Sequence, residues 1–211
     1  MDTVIIILII IIIVLIYFLY RTSKKASTNK KTTLYNLNNN NNPINSTDLT
    51  NPKSQSFSYS TWIFVNSWNN NTVKNIYSNS TGLIRLDLGT TTPLLTTKIG
   101  TNDNITITQN FPIQKWVYVV VGVDSQIVDC YLDGKLLTST QLNTLPTIYD
   151  SYSISLGSFD AYLTGFKYES KPLNPQQVWS NYMAGNGYVG GKFGVNVALT
   201  KDDAVVSQVS Y

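Results

Sequence analysis

The chain has 211 residues, of which 43% are hydrophobic, and a formal net charge of +3, so it holds one ordinary domain with attachments rather than two sizeable cores. It contains no histidine, one cysteine (Cys130) and one glutamate (Glu169). That excludes a Ser-His-Asp or Cys-His nucleophile, an imidazole or thiolate metal centre and an internal disulfide.

Residues 4–20 are seventeen consecutive apolar or aromatic positions without charge, Gly or Pro, which is long enough for a short membrane-spanning helix. Isoleucine is a poor helix former in water, but in lipid the backbone must satisfy its own hydrogen bonds. Tyr17 and Tyr20 suit the headgroup interface. A cleaved signal peptide would need a basic start, a shorter apolar core and a small-residue cleavage site, and the segment has none of these. An uncleaved anchor over residues 1–21 is expected. Arg21, Lys24, Lys25, Lys30 and Lys31 follow it, and cations flanking a span mark the cytosolic side. The downstream domain is therefore predicted on the cytosolic face of a single-pass membrane protein, with these five cations serving topology, contact with the lipid bilayer, or both. The sequons at Asn45, Asn70, Asn79 and Asn104 matter only for a lumenal domain, and in so Asn- and Thr-rich a chain they arise by chance. Beyond the cations, residues 32–211 hold ten basic and eleven acidic side chains, so no basic footprint for nucleic acid exists.

Residues 22–55 are basic and then Asn-rich, with Pro43 and Pro52 and little to bury, and they predict a flexible tether. About 30 such residues have an r.m.s. span of roughly 30 Å. Within them Leu34, Tyr35 and Leu37 form one short apolar cluster with the alternative role of docking on a partner.

From Phe57 the pattern becomes short alternating runs separated by turn residues. Strands are predicted over 56–65, 75–78, 83–88, 94–99, 104–108, 115–124, 127–132, 135–137, 152–156 and 161–168. Asp133-Gly134 supplies the positive φ angles of a two-residue hairpin turn. Cys130 falls in the alternation Val128, Cys130, Leu132 and is predicted to be a buried core thiol. Asn174-Pro175-Gln176-Gln177 predicts an N-capped helical turn. Without intervening amphipathic helices, these elements predict an all-β antiparallel sandwich over residues 56–187. Residues 188–211 predict a β-hairpin, with strands over 193–199 and 204–211, that joins the domain's own sheet edge or adds strands to a partner.

Four segments occur in the order seen in laminin-G-like domains: Phe57-Ser58-Tyr59-Ser60-Thr61-Trp62-Ile63, Lys115-Trp116-Val117-Tyr118-Val119, Tyr131-Leu132-Asp133-Gly134-Lys135-Leu136, and Leu173-Asn174-Pro175-Gln176-Gln177-Val178. Over about residues 57–187 the chain thus resembles the concanavalin A-like lectin/glucanase superfamily, and the resemblance implies a jelly roll of two antiparallel sheets. Glucan-hydrolysing members use two paired carboxylates. Glu169 has no acidic partner at alternate spacing, so no enzyme is expected. The resemblance also raises a Ca²⁺ site, for which Asp87, Asp103, Asp124 and Asp160 are the candidates, but no dense acidic loop joins them and Thr164 stands where many members carry Asp. No catalytic residue, metal or cofactor is therefore expected. Glycan binding is the other implied activity. Trp62 and Trp116 lie within strands and are predicted to be core, whereas Trp68, amid asparagines, is the candidate stacking surface.

The expected function is that of a non-enzymatic, membrane-anchored structural or interaction protein whose partners are other structural proteins. The Asn-rich style resembles virion proteins of large DNA viruses. That likeness implies a minor capsid or membrane-to-capsid linking role, with the domain on the virion's inner membrane facing the capsid. The alternative is a membrane-anchored carbohydrate-binding adhesin with lumenal topology.

Overall fold

The structure is a computed structural model that describes residues 11–12, 14, 33–38, 54–69, 71–149 and 153–187, with the backbone of 196–201 and 204–210. Among the described residues lie strands β1 (Leu34–Asn36), β2 (Ser56–Val65), β3 (Lys74–Asn79), β4 (Ile84–Leu88), β5 (Leu95–Ile99), β6 (Ile105–Thr108), β7 (Trp116–Asp124), β8 (Ile127–Leu132), β9 (Lys135–Gln141), β10 (Ile154–Leu156), β11 (Ala161–Glu169), β12 (Asn196–Lys201) and β13 (Ala204–Ser210), with helix α1 (Pro175–Met183) between β11 and β12. A six-stranded sheet in the order β1-β11-β2-β7-β8-β9 faces a five-stranded sheet in the order β10-β3-β4-β5-β6, and every pairing is antiparallel.

Alternation along the strands builds the core between the sheets. Phe57, Tyr59, Ile63 and Val65 of β2 and Val117, Val119, Val121 and Val123 of β7 meet Ile76, Ile84, Leu86, Leu88, Leu95 and Ile99 of the other sheet. Cys130 belongs to this core, fully buried, and burial pushes its thiol up to about 12. The six-stranded sheet is covered on its outer face as well. Trp62, Tyr118, Val120 and Tyr131 form a second cluster there with Val178 of α1, and the Trp62 ring stacks on Tyr182 at 5.7 Å. Double coverage explains why β7 reads as a nearly unbroken run of valines, since a strand buried on both faces has no solvent side to keep polar.

Two local signals form as expected. Asp133 and Gly134 both have positive φ, at 47° and 81°, and a Cβ added to Gly134 would lie 2.7 Å from the Trp179 ring. Asn174 caps α1 by accepting from the Gln177 amide at 2.8 Å, while the Gln177 side chain accepts from the Asn174 amide at 3.1 Å.

Residues 34–37 depart from the expected tether. β1 pairs with β11, and Leu37, only 2% exposed, enters the core. The physical reason is tertiary: an otherwise polar segment spends its one apolar cluster on the open side of β11, where pairing and leucine burial offset the ordering of three residues. β9 runs to Gln141 rather than 137, because its polar second half pairs with β8 at a sheet edge. β12 and β13 pair with each other and with no other described strand. Among the described residues no helix is long and apolar enough to cross a membrane. Of residues 4–20 only Ile11, Ile12 and Val14 are described, in helical conformation. The rest of the expected anchor over 1–21 and the cations Arg21, Lys24, Lys25, Lys30 and Lys31 lie outside the described residues.

Candidate functional site

Outward positions of the five-stranded sheet define the site. In β4 the residues Ile84, Leu86 and Leu88 point into the core, so Arg85 and Asp87 point out; in β5 the same logic turns Thr96 and Lys98 outward. The register sets Arg85 directly opposite Lys98 and Asp87 opposite Thr96, with Asn75 of β3 flanking Asp87. Arg85, Asp87, Thr96 and Lys98, with Asn104, the chain around Gly89 and Thr90, and the apolar rim of Val73 and Leu94, line an open groove of about 420 Å³. Asp87 forms an ion pair with Arg85 through the arginine Nε and accepts at 2.8 Å from the Asn75 amide nitrogen. Lys98 has no ionic or hydrogen-bonding partner among the described residues.

Trp68 lies at the end of this sheet, half-buried and packed on the core. The Lys74 ammonium sits 4.1 Å from the centroid of its ring. Lys74 is 2% exposed, with no carboxylate beside it, and donates to the carbonyls of Thr72, Gly89 and Thr90 at 3.2, 3.3 and 3.2 Å. One ammonium therefore ties the Trp68 loop to the 89–90 wall of the groove. Burial pushes this lysine's pKa down.

The four aspartates do not come together. Asp87 is committed to Arg85 and Asn75, Asp124 accepts from Ser56 at 2.6 Å, Asp160 accepts from Asn66 at 3.0 Å and also from Ser67, and Asp103 is exposed on a loop. Among the described residues no three His, Cys, Asp or Glu side chains converge. Thr164 is fully buried and donates to the carbonyl of Thr33 at 3.0 Å, which fastens β1 to β11. Trp62 is buried under α1 rather than between the sheets, and Trp116 is half-buried against the same cluster. Glu169 is exposed at the end of β11, opposite Ser58. Of the sequons, Asn79 is buried and bonded to Thr81 and the Ile84 amide, whereas Asn104 is exposed on the groove.

Sequence reasoning singled out Asp87 and Asn104 for other reasons and passed over Arg85, Thr96 and Lys98. Their signal is the polar phase of two short strands joined by a short turn, Ile84-Arg85-Leu86-Asp87-Leu88 and Leu95-Thr96-Thr97-Lys98-Ile99.

A family model described as the concanavalin A-like lectin/glucanases superfamily matches residues 38–179. Comparison with curated proteins gives no match. Among solved structures, a native heptameric SAP-like pentraxin from Limulus polyphemus aligns with a TM-score of 0.57 and 12% identity, over 73% of this chain and 82% of that one. A Trypanosoma rangeli sialidase in complex with sialic acid aligns with a TM-score of 0.50 and 14% identity, over 61% of this chain and 23% of the sialidase. A structure of botulinum neurotoxin type C, whose cell entry depends on interaction with two ganglioside molecules, gives 0.50 and 17%, over 63% of this chain and 36% of that one. This chain thus spans about a quarter to a third of the sialidase and toxin chains, and all three likenesses are likenesses of fold.

Proposed function

Given that the chain belongs to the concanavalin A-like lectin/glucanases superfamily, we propose that it is a non-enzymatic saccharide-binding domain, held at a membrane by residues 4–20, with the groove over β4 and β5 as its ligand seat. The observation that carries this reading is the side-by-side placement of Arg85, Asp87, Thr96, Lys98 and Asn104 around about 420 Å³ of open space. Hydroxyl-rich ligands need convergent donors and acceptors on a rigid frame, and outward positions of adjacent paired strands provide one.

Chemistry on the bound sugar is not supported. The usual route of glycoside hydrolysis uses two carboxyl groups about 5–10 Å apart across the scissile bond. The groove offers one, Asp87, and Arg85 and Asn75 already occupy it. Glu169 belongs to the other sheet.

The reading is tested on a glycan array with the full chain in detergent micelles. A defined subset of glycans should bind, and Thr96→Tyr, which fills the groove, should weaken that binding at least tenfold with the melting temperature unchanged. Binding of no glycan, or undiminished binding by Thr96→Tyr, would reject it.

A second reading is that of a structural linker between a membrane and a protein assembly such as a virion shell. One observation favours it: Trp179, Met183 and Leu136 leave an exposed apolar surface around α1 and the β8–β9 turn. The cations at 21–31 support a cytosolic, capsid-facing domain under this reading, whereas saccharide binding at a cell surface needs the opposite side. Protease protection of the full chain in microsomes separates the two.

A further inference from the structure

We infer that the groove selects a saccharide bearing an oxyanion, a carboxylate or a sulfate ester, and that Arg85 and Lys98 set this preference; the inference rests on the groove being the saccharide seat proposed above. Three features of the site carry it.

The first is the pairing itself. Arg85 and Lys98 are direct cross-strand partners, and facing residues in an antiparallel pair hold their Cβ atoms about 5 Å apart, where like charges repel. An anion between them turns that repulsion into attraction on both sides.

The second is the state of Asp87. Its Oδ2 forms the ion pair with Arg85, on the Nε side of the guanidinium, and Asn75 donates to its Oδ1. The carboxylate therefore lies beside the guanidinium on its Nε side, and no hydrogen bond from the two terminal nitrogens to protein is formed among the described residues. A planar fork held at its base fits a carboxylate or sulfate through two parallel hydrogen bonds. Arg85 is half exposed and Asp87 only 16% exposed, so the orienting acid is recessed while the fork faces solvent. Lys98, free of partners, adds a second, mobile donor. The three side chains together leave one net positive charge in the groove.

The third is what the groove lacks. No aromatic ring is among its lining residues, and Trp68 is engaged with Lys74 beyond the 89–90 wall. A neutral sugar would find no ring on which to lay its C–H face, so charge must supply a larger share of affinity, with Thr96 and Asn104 left for hydroxyl groups.

The test uses the full chain in detergent micelles and a matched pair of probes, a heparin-derived hexasaccharide and the same hexasaccharide desulfated and carboxyl-reduced. Wild type should bind the anionic probe at least tenfold more tightly. Lys98→Gln and Arg85→Gln should each cut that ratio at least threefold. Arg85→Lys keeps the charge without the fork and should also lower the ratio; it serves if Arg85→Gln is poorly folded. A ratio unchanged in the Lys98 and Arg85 variants overturns the inference. So does a preference abolished by Lys24, Lys25, Lys30 and Lys31→Gln but not by the groove variants. Equal binding of both probes, abolished by Thr96→Tyr, would leave the saccharide seat standing and remove the selectivity. Binding of neither probe by a chain that binds some other, uncharged glycan in a manner sensitive to Thr96→Tyr would do the same, whereas binding of no saccharide at all removes both.

Discussion

Lys74 is an ammonium taken out of water without an acid. Three carbonyls and the face of Trp68 replace its hydration, so removing the charge leaves buried acceptors unpaired. Lys74→Met should cost about 1–3 kcal/mol in chemical unfolding and loosen the Trp68 loop; an unchanged denaturation midpoint would contradict this account. Cys130 and Tyr77 are buried as neutral acids, and burial raises both their pKa values, Cys130 from its ordinary 9.0 to about 12. Their folded forms hold protons that the unfolded chain releases, so stability is full below pH 9 and falls as pH rises from 9 towards 12. For Cys130 alone the loss reaches about 4 kcal/mol at pH 12. Lys74, shifted the other way, opposes this below its ordinary 10.5 and adds nothing above it. Thermal melts between pH 8 and 11 should show a falling melting temperature, with a later onset in Cys130→Ala.

At the scale of elements, β1 and α1 complete the sandwich, one at an edge and the other over the outer face of the six-stranded sheet. Leu37→Ala should destabilise by about 2–4 kcal/mol, because it empties a core position. Gly134→Ala should cost about 1–2 kcal/mol or more, through its positive φ and the Trp179 ring above it. Urea unfolding of both variants checks this, and wild-type stability in Leu37→Ala would place the 34–37 segment outside the cooperative fold. These two elements also mark how far sequence reasoning reaches. The strands, the Asp133-Gly134 turn and the Asn174 cap were legible because their signals are local: alternation, φ requirement and a side chain reaching its own backbone. β1 was not, since three residues carry no periodicity and gain their stability from β11. Trp62 was read as buried, but period-two alternation cannot tell which of two covered faces a residue joins. Arg85, Thr96 and Lys98 drew no reading from the sequence, because only the register of β4 against β5 brings them together with Asp87 around a groove.

For the whole molecule, docking of β1 shortens the link to the proposed anchor. Between Arg21 and Leu34 lie twelve residues, so the proposed anchoring would hold the sandwich closer to the bilayer than a 30-residue tether. Asn104 gives a further discriminator. A glycan attached there would fill the groove, so mass spectrometry of chain that binds saccharide should find Asn104 unmodified, and quantitative modification on active protein would contradict the proposed seat.

The claim on which the rest depends is that ligand occupies the outer face of β4 and β5. Lysine-selective acetylation of the full chain, read by mass spectrometry with and without saturating heparin-derived hexasaccharide, tests it most directly. The account predicts that Lys98 is acetylated at least fivefold more slowly in the presence of the saccharide, while exposed Lys135 and Lys171, away from the groove, react at an unchanged rate. Equal labelling of Lys98 in both conditions, with the saccharide bound, would place the ligand elsewhere.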